Sequence, residues 1–220
     1  MEHIHPFEEI DMTAWKRSRH FLLYKDCPFP YVGATAPVDV GQFIQCCADN
    51  GIRSSFAFMH IAMTAAQRVE NFRYRLRNGS PVLFESVDPS FTVFDGEDEL
   101  FYFATARTTS AFEDFRHEAA KAEAEALATR CLRNGRQDVV YITCVPWVAF
   151  TDILQPVFLD IGDCVPRIAW GKFTGTGGHL EMPVNVLAHH GFVDGVHIAK
   201  LFDGIKQGLS DFVAADGKRP

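Results

Sequence analysis

The chain has 220 residues, of which 47% are hydrophobic and 22% charged, and its formal net charge is -7. That is enough chain for one sizeable core, so a single domain over 1–220 is the default, and an acidic surface disfavours nucleic acid, whose phosphates select basic ones. The longest near-apolar run, 56–66, is broken by His60 and Thr64 and is too short to span a bilayer, and residues 1–6 have neither a basic flank nor an apolar signal core, so a cytoplasmic protein is expected.

In chain order, Asp11 starts a predicted helix that runs through Trp15 and Phe21 to about Tyr24. Cys27-Pro28-Phe29-Pro30 is a turn, and 31–36 reads as a short strand stopped by Pro37. Asp39 then caps a helix over 40–48, closed by Asn50-Gly51. Apolar residues at helical spacing predict a second helix over 55–70. Asn78-Gly79 between the apolar runs 72–76 and 81–85 is a hairpin signal, and 90–94 with 99–104 forms a further strand pair around Asp95-Gly96. A charged helix with a solvated face follows Thr108-Thr109-Ser110 and runs to about Cys131, with Asn134-Gly135 ending it.

The last third alternates strands, over 139–144, 167–173 and 180–188, with loops, and ends in an amphipathic helix over 196–213 and a loose tail, 214–220. The run 174–178 lacks the Gly-Lys-Ser/Thr ending of a phosphate loop and reads as a hairpin turn. The pattern of strands broken by helices favours α+β. Twenty phenylalanines suit a strand-rich core or an apolar small-molecule pocket. The six cysteines, Cys27, Cys46, Cys47, Cys131, Cys144 and Cys164, show no CxxC pair, which favours free thiols over zinc ligands.

One stretch gathers chemistry. In 187–197 an imidazole pair, His189-His190, is followed by Gly191, Asp194 and His197, between a strand-like and a helix-like run. Such spacing can hold a reactive imidazole rigidly, or it can be two strand-end histidines with Asp194 capping the next helix. His190, Asp194 and His197 also have the spacing of metal ligands.

His190-Gly191-Phe192-Val193-Asp194-Gly195 resembles the HxxxDG signature of the chloramphenicol acetyltransferase superfamily, which includes the acyltransferase cores of 2-oxo acid dehydrogenase complexes. Trp15-Lys16-Arg17-Ser18-Arg19-His20-Phe21, the block 86–94 around Asp88-Pro89 and Pro146-Trp147-Val148-Ala149-Phe150 are similar, in the same order, to blocks of chloramphenicol acetyltransferase, so the resemblance covers about 10–213. It implies a two-layer sandwich of a mixed β-sheet and helices, a homotrimer with active sites at subunit interfaces, and O-acetylation of a small hydroxyl compound with acetyl-CoA as co-substrate. No bound cofactor or metal is implied.

Residue by residue, the resemblance implies His190 as general base and Thr143, where relatives have serine, as the hydroxyl that stabilises the oxyanion. Asp194 is implied to be structural, paired with Arg17, while His189 points to the other side of the strand and His197 has no catalytic role. Lys172 and Arg53 match basic residues near the CoA site. Tyr24 and Phe101 match pocket aromatics, whereas Leu23, Val32, Gln155 and Ala169 depart from the family's acceptor-pocket residues. Smaller side chains and a polar Gln155 suggest an acceptor bulkier or more polar than chloramphenicol. The alternatives left open are a weakly active trimeric relative that binds a small ligand, and a metal-dependent hydrolase built on the histidine cluster.

Overall fold

The computed structural model describes residues 4–132, 135–158, 162–176 and 178–216. Its α+β architecture is a twisted mixed sheet with helices on one face and a small sheet at one end. The large sheet has strand order β2(Tyr31–Asp39), β10(His179–His189), β8(Arg167–Gly171), β7(Val139–Val145), β5(Asp88–Asp95) and β6(Leu100–Thr105), with β9(Thr174–Thr176) pairing β10. Pairing of β5 with β7 and of β7 with β8 is parallel, and the other pairs are antiparallel. The second sheet sets β1(Phe7–Glu9) against the hairpin β3(Tyr74–Arg77) and β4(Ser80–Phe84), which turns on Asn78 and Gly79, both at positive φ.

Helix α3(Ser54–Arg68) lies deepest. Phe56, Phe58, Met59, Ile61 and Met63 are buried, since it is covered by the sheet on one side and by α4(Phe112–Thr129) and α5(Gly195–Asp216) on the other. On α5, Gly204 and Gly208 permit the close approach: a Cβ there would lie 3.0 Å from Ala65 and 2.7 Å from Ile61. Alternate residues of the strands, among them Ile142, Ile168, Val184 and Val186, meet the helices in one dry core.

Several boundaries differ from the sequence reading for physical reasons. Helix α1 is only Ser18–Tyr24, because Asp11 builds a turn instead, its Oδ1 accepting from Thr13 N and Oγ1. Strand β2 runs on through Pro37: as the edge strand it needs no donor there. Helix α2(Gly41–Asp49) starts one residue later than read, with Val40 rather than Asp39 as its N-cap; Asp39 Oδ1 accepts from Gly41 N just ahead of it. The charged helix stops at Arg130 in left-handed conformation, before Gly135; Asn134 lies outside the described residues. Thr174–Thr176 is a short strand rather than part of a turn, and α5 extends to Asp216, so 214–216 is not loose; 217–220 lie outside the described residues. Strand β1, Phe-Glu-Glu, was too short and too acidic to announce itself.

Phe58 is 1% exposed and meets Trp170 of β8 edge-on at 4.9 Å. Phe58→Ala should therefore cost about 3–5 kcal/mol in urea unfolding; a loss under about 1 kcal/mol would mean that α3 does not seat on the sheet as described.

Candidate active site

Strand β10 ends at His189, and the chain then turns through 190–194 into α5. The turn is saturated with hydrogen bonds. His190 N donates to Pro30 O, Phe192 N and Val193 N to His189 O, and Gly191 N to His189 Nδ1. Arg17 supplies the largest share. Its Nε donates to Gly191 O (2.8 Å), one terminal nitrogen to His190 O (2.9 Å) and Asp194 Oδ1 (2.7 Å), and the other to Asp194 Oδ2 (2.6 Å). These bonds hold the Asp194 carboxyl below its usual range. Gly191 is required, since a Cβ there would meet the His189 ring at 2.9 Å. Beneath the turn, Phe192 stacks on Phe21 and Tyr74 and packs against Trp15.

His190 is held by its Nδ1, 2.9 Å from Val193 O and 3.2 Å from Asp194 Oδ1. Both partners only accept, so in the neutral imidazole Nδ1 carries the proton and Nε2 the lone pair. Tyr24 stacks on the imidazole at 4.2 Å. Asp194 thus touches the ring as well as Arg17. His197 Nδ1 accepts from Asp194 N, so His190, Asp194 and His197 are engaged with Arg17 and backbone. His5, Asp88 and Asp138 lie close enough to share an ion, but Arg136 binds both carboxylates and takes the place a cation would occupy.

Thr143 stands elsewhere. It lines a cavity of about 280 Å³ with Phe101, Phe103, Gln155, Tyr141 and Ser90. Arg167 closes one wall, and its guanidinium is paired with the Asp163 carboxylate, so it brings no unpaired charge to the cavity. Ala169 is fully buried beside Thr143 in register, and Val32 faces the core side of the sheet instead of this cavity. Leu23 is 68% exposed on α1. Ser90 and Tyr141 were missed because each looks like an ordinary strand residue; period-2 alternation with Thr143 would have placed Tyr141 on its face.

Thr143 and His190 do not meet within one chain. Thr143 pairs with Ala169, which pairs with Asn185, whereas His189 lies four residues further along β10. By strand geometry that is about 13 Å along the sheet and about 10 Å across it.

On the helix side of β7, a cleft of about 380 Å³ is lined by Arg53, Met59, Cys144, Trp147 and Trp170, among others. Arg53 lies over the Phe56 ring at 4.1 Å and pairs with Glu123, while burial pushes the Cys144 thiol up to about 11, keeping it neutral. Lys172 is exposed outside this lining; its N–H binds Val148 O.

A mixed sheet backed by helices thus carries an arginine-stitched histidine turn at the end of β10, the strand next to the β2 edge. Residues 5–206 match the family model of chloramphenicol acetyltransferase, and the chain belongs to that family. It is 32% identical to chloramphenicol acetyltransferase of Streptomyces acrimycini over 211 residues, covering 92% of this chain and 94% of the relative, and 24% identical to that of a Klebsiella species, covering 91% and 93%. Among solved structures, a chloramphenicol acetyltransferase overlays with a TM-score of 0.82 at 24% identity, covering 93% of this chain and all of the other. The dihydrolipoamide acetyltransferase of Azotobacter vinelandii overlays at 0.66 and 14%, covering 94% and 93%, a likeness of fold. The protein is an acetyltransferase by class.

His189, 4% exposed, supports the turn as a neutral acceptor, and burial lowers its pKa to about 4 from 6.5. Unfolded, it takes a proton near 6.5; folded, only near 4, so stability falls as pH drops through that window. Between pH 7.5 and 5, the wild type should lose about 2 kcal/mol more than His189→Asn, which keeps an acceptor but cannot titrate. Parallel losses in urea melts would refute this role.

Proposed function

We propose that the protein is an acetyl-CoA-dependent O-acetyltransferase that transfers the acetyl group directly to a hydroxyl of a small acceptor, with His190 as general base. One observation carries the reading: both hydrogen-bond partners of His190 Nδ1 are acceptors, so the neutral imidazole holds its proton there and presents Nε2 as a positioned lone pair. An alcohol is a weak nucleophile at neutral pH, so its proton must leave as its oxygen attacks. In this reading His190 Nε2 takes that proton, the acceptor oxygen adds to the thioester carbonyl, and the Thr143 hydroxyl donates to the resulting oxyanion. The tetrahedral species collapses by expelling the CoA sulfur, which recovers the proton from the imidazolium. No acyl-enzyme is formed. Arg17 and Asp194 are positioning residues that fix the turn.

The acceptor occupies the Thr143 cavity, with Phe101 and Gln155 in its walls, and Tyr24 covers the His190 side. Acetyl-CoA lies along the Arg53 and Trp147 cleft, with Arg53 and Lys172 meeting its phosphates. The active unit is a homotrimer in which His190 of one chain faces Thr143 of the next. The separation of the two residues within a chain supports this, as do the exposed apolar side chains Leu23, Leu154 and Trp147. The polar Gln155 and the buried Ala169, which offers no hydroxyl, favour an acceptor other than chloramphenicol.

With chloramphenicol and a panel of alcohols, release of CoA thiol should fall about 10²- to 10⁴-fold in His190→Ala and about 10²- to 10³-fold in Thr143→Ala. Unchanged turnover in His190→Ala would remove the base assignment. If the two residues come from different chains, inactive His190→Ala and Thr143→Ala proteins that are unfolded and refolded together should regain activity, at about a quarter of the sites for random mixing. No regain would place both residues in one chain's site.

A further inference from the structure

Two polar groups in the wall of the Thr143 cavity have no use in the transfer chemistry. Ser90 is 1% exposed, and its Oγ has no hydrogen-bond partner among the described residues. A buried hydroxyl left unpaired is costly, and the cost is recovered when something in the cavity bonds to it.

Gln155, 7% exposed, is the second group. Its Nε2 donates to Asn185 Oδ1 at 2.7 Å, Asn185 Nδ2 donates to Thr35 Oγ1 at 2.9 Å, and Thr35 Oγ1 donates to Asp152 Oδ1 at 3.0 Å. The chain ends on a carboxylate, which only accepts, so every donor in it points one way and the Gln155 amide cannot flip. Its nitrogen is committed to Asn185. Its Oε1 has no partner among the described residues and is the end left for a ligand.

The two groups flank the reacting position. Strand β7, which carries Thr143, runs between the strand of Ser90 and the strands that carry Ala169 and Asn185. Because the Arg167 and Asp163 charges cancel, the cavity offers hydrogen bonds at its flanks, aromatic surface from Phe101 and Phe103, and no free charge.

We propose that Ser90 and Gln155 are specificity-determining residues which select a neutral alcohol carrying a second hydrogen-bonding group, whose N–H or O–H is taken by Gln155 Oε1. This rests on the acetyl-transfer reading for the chemistry but not for the binding. A site built around unpaired polar groups rejects ligands that cannot satisfy them.

The test uses two alcohols with the same carbon skeleton, N-acetylphenylalaninol and 3-phenylpropan-1-ol, the second lacking the acetamido group. For wild type, Ser90→Ala and Gln155→Leu, dissociation constants come from ligand-observed NMR without acetyl-CoA, and kcat and KM from CoA thiol release. Wild type should favour the amide alcohol by about tenfold to a hundredfold in Kd and KM. Gln155→Leu should bring that ratio to about one and Ser90→Ala should reduce it, through KM more than kcat. A variant that merely misfolds binds neither alcohol and gives no ratio, which separates it from a folded variant whose ratio has changed or stayed the same. A wild-type ratio near one, a ratio unmoved in both variants, or binding of neither alcohol would overturn the proposal. Turnover with a flat ratio would defeat the specificity pair and spare the acetyl-transfer reading. The expected binding ratios without any turnover would do the reverse.

Discussion

The structure depends on one guanidinium. Arg17 binds the backbone of His190 and Gly191 and both oxygens of Asp194, tying the turn after β10 to the segment before α1. Its side chain is 12% exposed, so its charge is largely desolvated and needs every one of those acceptors. The geometry matters more than the charge, because a planar fork can satisfy a carboxylate and two carbonyls at once, whereas a lysine ammonium cannot. The aromatic cluster of Trp15, Phe21, Tyr74 and Phe192 sits directly beneath and fixes where the guanidinium begins. The proposed base inherits its position from this assembly, which spans more than 170 residues of sequence.

The two faces of the large sheet have different chemistry. Toward the helices, alternate strand residues are apolar and the core is dry. On the other face, Asn185, Gln155 and Arg167 are buried but polar, and each is held in a hydrogen bond or ion pair. A polar face of that kind adds little to hydrophobic stability and is retained when it presents groups in fixed orientations. Strand pairing also distributes the proposed site over the sheet, with the histidine turn beyond the end of β10 and Thr143 in the middle of β7. No rotamer change within one chain can bring them together.

Much of the fold was legible because its signals are local. Asn78-Gly79 specified its hairpin, helical spacing from Phe56 to Val69 revealed the buried helix, and His190 to Asp194 carried a motif whose spacing is the length of the turn itself. What escaped was decided by distant partners. Pro37 reads as a strand breaker unless the strand is known to be at an edge, and Asp11 reads as a helix start unless its bonds to Thr13 are seen. The Arg17 and Asp194 pairing came from resemblance, since nothing in the residues themselves links positions so far apart. Ser90 escaped altogether: a serine in a strand announces nothing until its hydroxyl is found without a partner.

The two halves of the proposed site are under different constraints. Around His190 the fixing partners are mostly backbone atoms, Pro30 O, Val193 O and the carbonyls held by Arg17, and backbone positions survive most substitutions nearby. Around Thr143 the walls are side chains: Phe101, Gln155, Ser90, and an alanine at 169. A single substitution there alters cavity shape or removes a hydrogen-bonding group without touching the turn that holds the imidazole. In the proposed reading, such a molecule can keep its reaction while its acceptor changes, because the base is held by Arg17 and main-chain atoms while the acceptor meets exchangeable side chains. Family membership accordingly speaks for the acyltransferase class of this chain and not for the molecule being acetylated.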